Sequence, residues 1–145
     1  MDELEPQGKN KILIVEDSAS NMMLFCDLLE RVGYEIVCAE TGRQGIRLAR
    51  SQKPDLILLD IKLPDIDGTK IIRWIRKHDG LRAVPVIAVT AFAMLGDKER
   101  FLDAGFDAYV SKPISIPNFL EVIERFIATE TIAFGASVAQ LDARC

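Results

Sequence analysis

The sequence predicts an α/β fold in which a five-stranded parallel sheet, doubly wound by helices in the strand order 2-1-3-4-5, encloses one core. Three observations predict it. Apolar runs of strand length alternate five times with stretches of helical periodicity. Most of those runs are rich in Leu, Ile and Val, as strands buried on both faces must be. Right-handed crossovers then make an open sheet the economical way to join them. At 145 residues and 49% hydrophobic, the chain is the size of one ordinary domain.

The first run is Ile12 to Val15. The helix after it is marked by Phe25, Leu28, Leu29 and Val32, whose spacing puts them on one face. Ser18 and Ser20 begin that helix, a hydroxyl capping its exposed amides, and Gly33 ends it. Tyr34 to Ala39 is the second run, followed by a faintly patterned helix around Ile46 to Ala49. Leu56 to Leu59 is the third, and Ile71, Ile72 and Ile75 form a short stripe after Gly68. Val86 to Val89 is the fourth, with a helix around Phe101 and Leu102 that Gly105 closes. Ala108 to Val110 is the fifth, and Phe119, Ile123, Phe126 and Ile127 define the last helix, with Pro117 tolerated in its first turn. Residues 1–10 are expected to be a flexible, polar start and 11–129 the folded unit. Residues 130–145 lack a sustained period and read as a loose tail, disordered or left by cloning.

Composition narrows the partners. A net charge of −4 and a pI near 5.1, with no cluster of Lys and Arg, argue against nucleic acid. The start MDELEPQGKN has neither the basic residues nor the apolar stretch of a secretory signal, and no segment approaches the roughly 20 apolar residues that span a bilayer. A cytoplasmic protein is expected. Cys26, Cys38 and Cys145 have no metal-ligand spacing, and in a reducing compartment the first two read as small core residues.

The chemistry stands at one end of the predicted strands. Glu16 and Asp17 follow the first, Asp60 the third, Thr90 the fourth and Lys112 the fifth. The carboxyl ends of strands form the ligand edge of an open α/β sheet, and the order 2-1-3-4-5 brings Asp17 and Asp60 side by side there. Such neighbours repel unless one carboxyl is raised in pKa or a divalent cation intervenes, and Glu16 as a third acid favours the cation. Magnesium fits best, because it takes oxygen ligands from one or two carboxylates and completes its shell with water and phosphate. A metal-anchored carboxylate flanked by a hydroxyl and an ammonium suits phosphoryl transfer onto the carboxylate itself. Singly, each residue has a plainer role: Asp caps helices, Thr fills strands, and Lys is usually a solvated charge. The conjunction changes the reading, since capping preferences do not place Lys after a strand.

Together LIVED at 13–17, LILLDIKLPDIDG at 56–68, VIAVTA at 86–91 and VSKP at 110–113 resemble the CheY-like receiver family, over roughly residues 11–127. SNMMLFCDLLE and SKPIS followed by NFLE carry a closer likeness to its DivK-type single-domain response regulators. The resemblance implies a flavodoxin/CheY-like (βα)5 fold and a phosphoacceptor in a bacterial two-component system, not a classical enzyme. It makes Asp60 the acceptor, Asp17 a direct Mg2+ ligand, Glu16 an acid acting largely through water, and Lys62 a donor of its backbone carbonyl. It also implies that Thr90 moves toward the phosphoryl group, that Tyr109 turns inward, that Lys112 pairs with Asp60, and that the Lys112–Pro113 bond is cis. The implied partners are histidine kinases or phosphatases and downstream signalling proteins, with cell-cycle or polarity control as the pathway and a monomer or weak dimer as the assembly. The face of the fourth helix, fifth strand and fifth helix is expected to change on activation.

Three other readings compete with this one. Haloacid-dehalogenase-type phosphatases also use a strand-end Asp with magnesium, but need a second Asp where this chain has Lys62. A nucleotide or flavin module would cradle phosphate with a Gly-rich loop, whereas Glu16-Asp17-Ser18-Ala19-Ser20 is acidic and lacks Gly. A receiver cut from a hybrid kinase is the third; Met1 and the short tail favour a small self-standing protein. His78 and Trp74 read as a helix-end residue and helix-face packing, and the resemblance implies that Lys62 and Phe92 occupy positions that tune dephosphorylation.

Overall fold

The computed structural model describes residues 9–91 and 97–132. The expected start over 1–8, Phe92, the tail from 133 onward and Cys145 lie outside the described residues.

Five strands, β1 (Lys11–Val15), β2 (Glu35–Ala39), β3 (Leu56–Asp60), β4 (Val86–Thr90) and β5 (Ala108–Ser111), form one parallel sheet in the order 2-1-3-4-5. Five α-helices alternate with them: α1 (Ala19–Val32), α2 (Gly42–Gln52), α3 (Gly68–Lys77), α4 (Asp97–Ala104) and α5 (Ile116–Ile132). A 3-10 turn, Asp79–Leu81, lies between α3 and β4 and places Leu81 in the core. The predicted fold class, strand order and all ten elements are those observed.

The unbroken apolar runs have a direct cause. Successive strand residues point to opposite faces, so a sheet covered on both sides needs both phases apolar. Ile12, Ile14, Leu56, Leu58, Ile87 and Val89 pack with Phe25 and Leu29 of α1 and Phe119 and Ile123 of α5. Leu13, Val15, Ile57, Leu59, Val86 and Ala88 pack on the other side with Ala49 of α2, Ile71, Ile72 and Ile75 of α3 and Phe101 of α4. Phe25 and Phe119 stack with centroids 5.1 Å apart, joining the first and last helices. Both rings are fully buried, so Phe25→Ala would cost about 3–5 kcal/mol.

Helix ends follow local chemistry. Ser18 Oγ accepts the Asn21 amide at 3.3 Å to start α1, and Gly33 ends it in the left-handed region at φ 114°, its amide donating to Leu29 and Glu30. Three expectations need correction. Val32 is 54% exposed, because the last turn of α1 runs past the sheet that covers Phe25 and Leu29. The last helix reaches Ile132, beyond the point where its apolar stripe lapses. Cys38 is not a core residue: it is exposed on the edge strand β2, whereas Cys26 is half-buried on α1 and packs at the margin of the core.

Candidate functional site

Parallel register carries the predicted residues to one edge. Val15 pairs with Leu59, Asp60 with Val89, and Thr90 with Ser111. The residues ending or following four adjacent strands therefore meet at the carboxyl end of the sheet. The Glu16 amide extends the ladder by donating to Ala39 O at 3.0 Å, and the Lys112 amide does so by donating to Thr90 O at 2.8 Å. Glu16, Asp60 and Thr90 are the buried polar residues among the apolar core residues.

Lys112 binds two acids at once. Its Nζ lies 3.2 Å from Asp60 Oδ2, 3.4 Å from Glu16 Oε2 and 3.3 Å from Glu16 Oε1. The Ser18 amide donates to Glu16 Oε2 at 3.0 Å, and the Lys62 amide donates to Asp60 Oδ1 at 3.2 Å. Glu16 Oε1 is buried without a hydrogen bond; the nearby ammonium supplies charge but not bonding geometry. Burial pushes the Glu16 carboxyl above its ordinary pKa, the Ser18 amide opposes that, and Asp60 adds repulsion that Lys112 partly offsets. Burial alone would lower the Lys112 pKa, but attraction to Asp60 and Glu16 outweighs it and the ammonium is held above its usual value.

Carboxylate oxygens of Glu16, Asp17 and Asp60 lie within 4.8 Å of one another, with Asp17 on the exposed side. All three residues offer hard oxygens, the kind of donor magnesium takes, and one Glu16 oxygen is buried without a hydrogen bond. The structure thus brings Glu16, Asp17, Asp60 and Lys112 together, with Thr90 buried at the end of the neighbouring strand. Lys62 meets Asp60 through its backbone amide while its side chain is exposed. Tyr109 is not in this cluster. It is half-buried on β5, its ring 5.9 Å from that of Phe101. The Lys112–Pro113 bond is cis. His78 ends α3 with its amide on Ile75 O and stacks on Trp74, in keeping with the plain readings of both.

Sequence reasoning overlooked two supports of this edge. Gly68 donates its amide to Ile61 O at 2.8 Å, and a Cβ there would stand 2.8 Å from Ile61 Cα and 2.9 Å from Asp60 O. Only glycine lets α3 start so close behind the acceptor loop. Asp65 receives the Arg43 and Gly42 amides at 3.0 and 2.7 Å, which hold its carboxyl below the usual range and tie that loop to α2. The DIDG stretch of the sequence was the available signal for both, since Asp and Gly mark turns and caps.

The family model described as "Response regulator receiver domain" matches residues 12–124. A polar-differentiation response regulator DivK from Brucella anthropi is 50% identical over 116 residues, 80% of this chain and 94% of that protein. Among solved structures, the receiver domain of a sensor histidine kinase from Pseudomonas aeruginosa PAO1, with a magnesium ion coordinated in its active-site cleft, is 37% identical with a TM-score of 0.76 and covers 83% of this chain and 98% of that one. A CheY-like receiver domain protein from Methanospirillum hungatei is 35% identical with a TM-score of 0.75, over 85% and 98% of the two chains.

Proposed function

This chain belongs to the response regulator receiver family, and on that premise we propose that it switches by taking a phosphoryl group on Asp60. As a response regulator of two-component signalling it is a signalling protein rather than a classical enzyme, and receivers work with histidine kinases and downstream proteins. The observation that carries the finer reading is a cluster of three carboxylates, two of which share one ammonium, with Glu16 Oε1 buried and unbonded. Such a surplus of negative charge is costly unless a cation and an incoming electrophile use it.

Glu16, Asp17 and Asp60, with the Lys62 carbonyl, would hold Mg2+. When bound, that ion supplies charge neutralisation for the oxygens of the transferring phosphoryl group. An Asp60 carboxylate oxygen attacks the phosphorus of a phosphohistidine; the new O–P bond forms as the N–P bond breaks and the imidazole leaves. Lys112 follows the charge onto the phosphoryl oxygens, and the Thr90 hydroxyl donates to one of them. Slow self-catalysed uptake from a small phosphodonor and slow hydrolysis use the same residues. Differential contacts with Thr90 and Lys112 then bias a small conformational equilibrium, with Tyr109 turning inward and the α4–β5–α5 face as readout.

The partners are histidine kinases or phosphatases that donate or remove the group, and target proteins that read the face, with the chain as a monomer or weak dimer. The DivK name supports a role in cell-cycle or polarity control. Among the described residues no helix is long and apolar enough to cross a membrane, and the acidic charge suits protein partners in the cytoplasm. The receiver unit starts at residue 11 and runs through the last helix to Ile132, three residues beyond the 129 expected from the sequence.

Incubation with magnesium and acetyl phosphate tests the reading by intact mass. One labile phosphoryl adduct is expected, absent in Asp60→Ala; an adduct that persists in that variant overturns the assignment.

A further inference from the structure

Cys38 Sγ lies 3.3 Å from Cys26 Sγ, linking the middle of α1 to the edge strand β2. Two observations distinguish this pair from buried structural cysteines. Cys38 is exposed, so a small oxidant reaches one sulfur directly. Cys26 is half-buried immediately behind it, so the second sulfur is within reach of whatever forms on the first. The sulfurs need to approach by only about 1.3 Å to reach the ~2.05 Å of a disulfide.

We propose that Cys26 and Cys38 are a modification site at which a peroxide drives a reversible disulfide, stapling α1 to β2. The Cys38 sulfur attacks the peroxide, an S–O bond forms, the O–O bond breaks, and an alcohol or water leaves. The Cys26 sulfur then attacks the Cys38 sulfenic acid; the S–S bond forms, the S–O bond breaks, and the hydroxyl departs as water with the Cys26 proton. The peroxide is reduced and the two thiols are oxidised. Cys38 takes the first step because it is the exposed sulfur; burial, then the contact with Cys38, pushes the Cys26 thiol up to about 12, so its attack waits on loss of its proton and is the slower step. In a reducing compartment such a bond is transient, as redox-sensing disulfides there are.

The site is independent of the phosphoryl chemistry, so its test leaves that reading untouched. Full-length protein carrying Cys145→Ser is treated with hydrogen peroxide and analysed by intact mass and non-reducing peptide mapping. The expected result is loss of two hydrogen atoms, a peptide joining positions 26 and 38, and full reversal by dithiothreitol. On the same background Cys26→Ser should lose the mass decrease and accumulate oxygen adducts at Cys38. The proposal is overturned if the Cys145→Ser protein oxidises Cys38 to sulfinic acid while Cys26 still alkylates, or if both thiols remain free.

Discussion

At the amino end of the sheet, Asp107 accepts the Val86 amide at 2.8 Å and Arg76 Nη2 at 2.7 Å, whereas at the carboxyl end Glu16 and Asp60 divide one ammonium between them. Among the described residues, no buried side-chain polar atom at the amino end lacks a hydrogen-bond partner. Asp55 takes the Lys11 amide at 2.7 Å, and Arg76 places three further donors on the Gly105, Arg82 and Val84 carbonyls. Charge there closes loops onto strands. At the other end Glu16 Oε1 has no hydrogen bond and the acids outnumber the nearby cation. One sheet therefore carries two kinds of polar edge: one completes its bonding on folding, and the other keeps capacity for a cation and a phosphoryl group.

The largest expected effect breaks the comparison at the carboxyl end. Lys112→Met should cut phosphoryl uptake from acetyl phosphate by about 100-fold or more, followed by intact mass over time, because it removes the charge partner of Asp60. Unchanged uptake would make Lys112 a structural counter-ion only. Next in size, Arg76→Ala should lower unfolding free energy by about 2–3 kcal/mol in a urea melt while leaving phosphoryl uptake intact, since it strands several acceptors at the amino end. A stable variant that no longer takes up phosphate would erase the division between the ends.

The smallest effect is a slope. With its pKa raised above the ordinary 4.5, the folded Glu16 keeps a proton that the unfolded chain releases first. Its contribution to stability therefore falls as pH rises from about 4.5 through the raised value. Glu16→Gln should remove that decline from the pH dependence of urea midpoints. A decline of equal steepness in the variant would place its origin elsewhere.

The polar edge was legible in sequence because strand-end residues need no knowledge of packing: five apolar runs locate the ends, and sheet order assembles Glu16, Asp17, Asp60, Thr90 and Lys112. What the pattern hid has physical causes. The α2 stripe looked faint because its core face is built from Gly42, Gly45 and Ala49, which score weakly as apolar although Gly45 lies close against Val15 and Gly42 against Ile71. Cys38 was misread although the predicted order already made β2 an edge strand, because the same apolar letters serve central and edge strands and do not tell which face of an edge strand is covered. Arg76 left no local trace, since Asp107 lies thirty-one residues away along the chain.

The direct test is to trap the phosphoryl group where it lands. Protein treated with magnesium and acetyl phosphate is reduced with borohydride, which converts an aspartyl phosphate to homoserine, and the altered residue is located by peptide sequencing. Homoserine at position 60 is the expected result; homoserine at position 17, or phosphate held on a hydroxyl side chain, would contradict the assignment of Asp60.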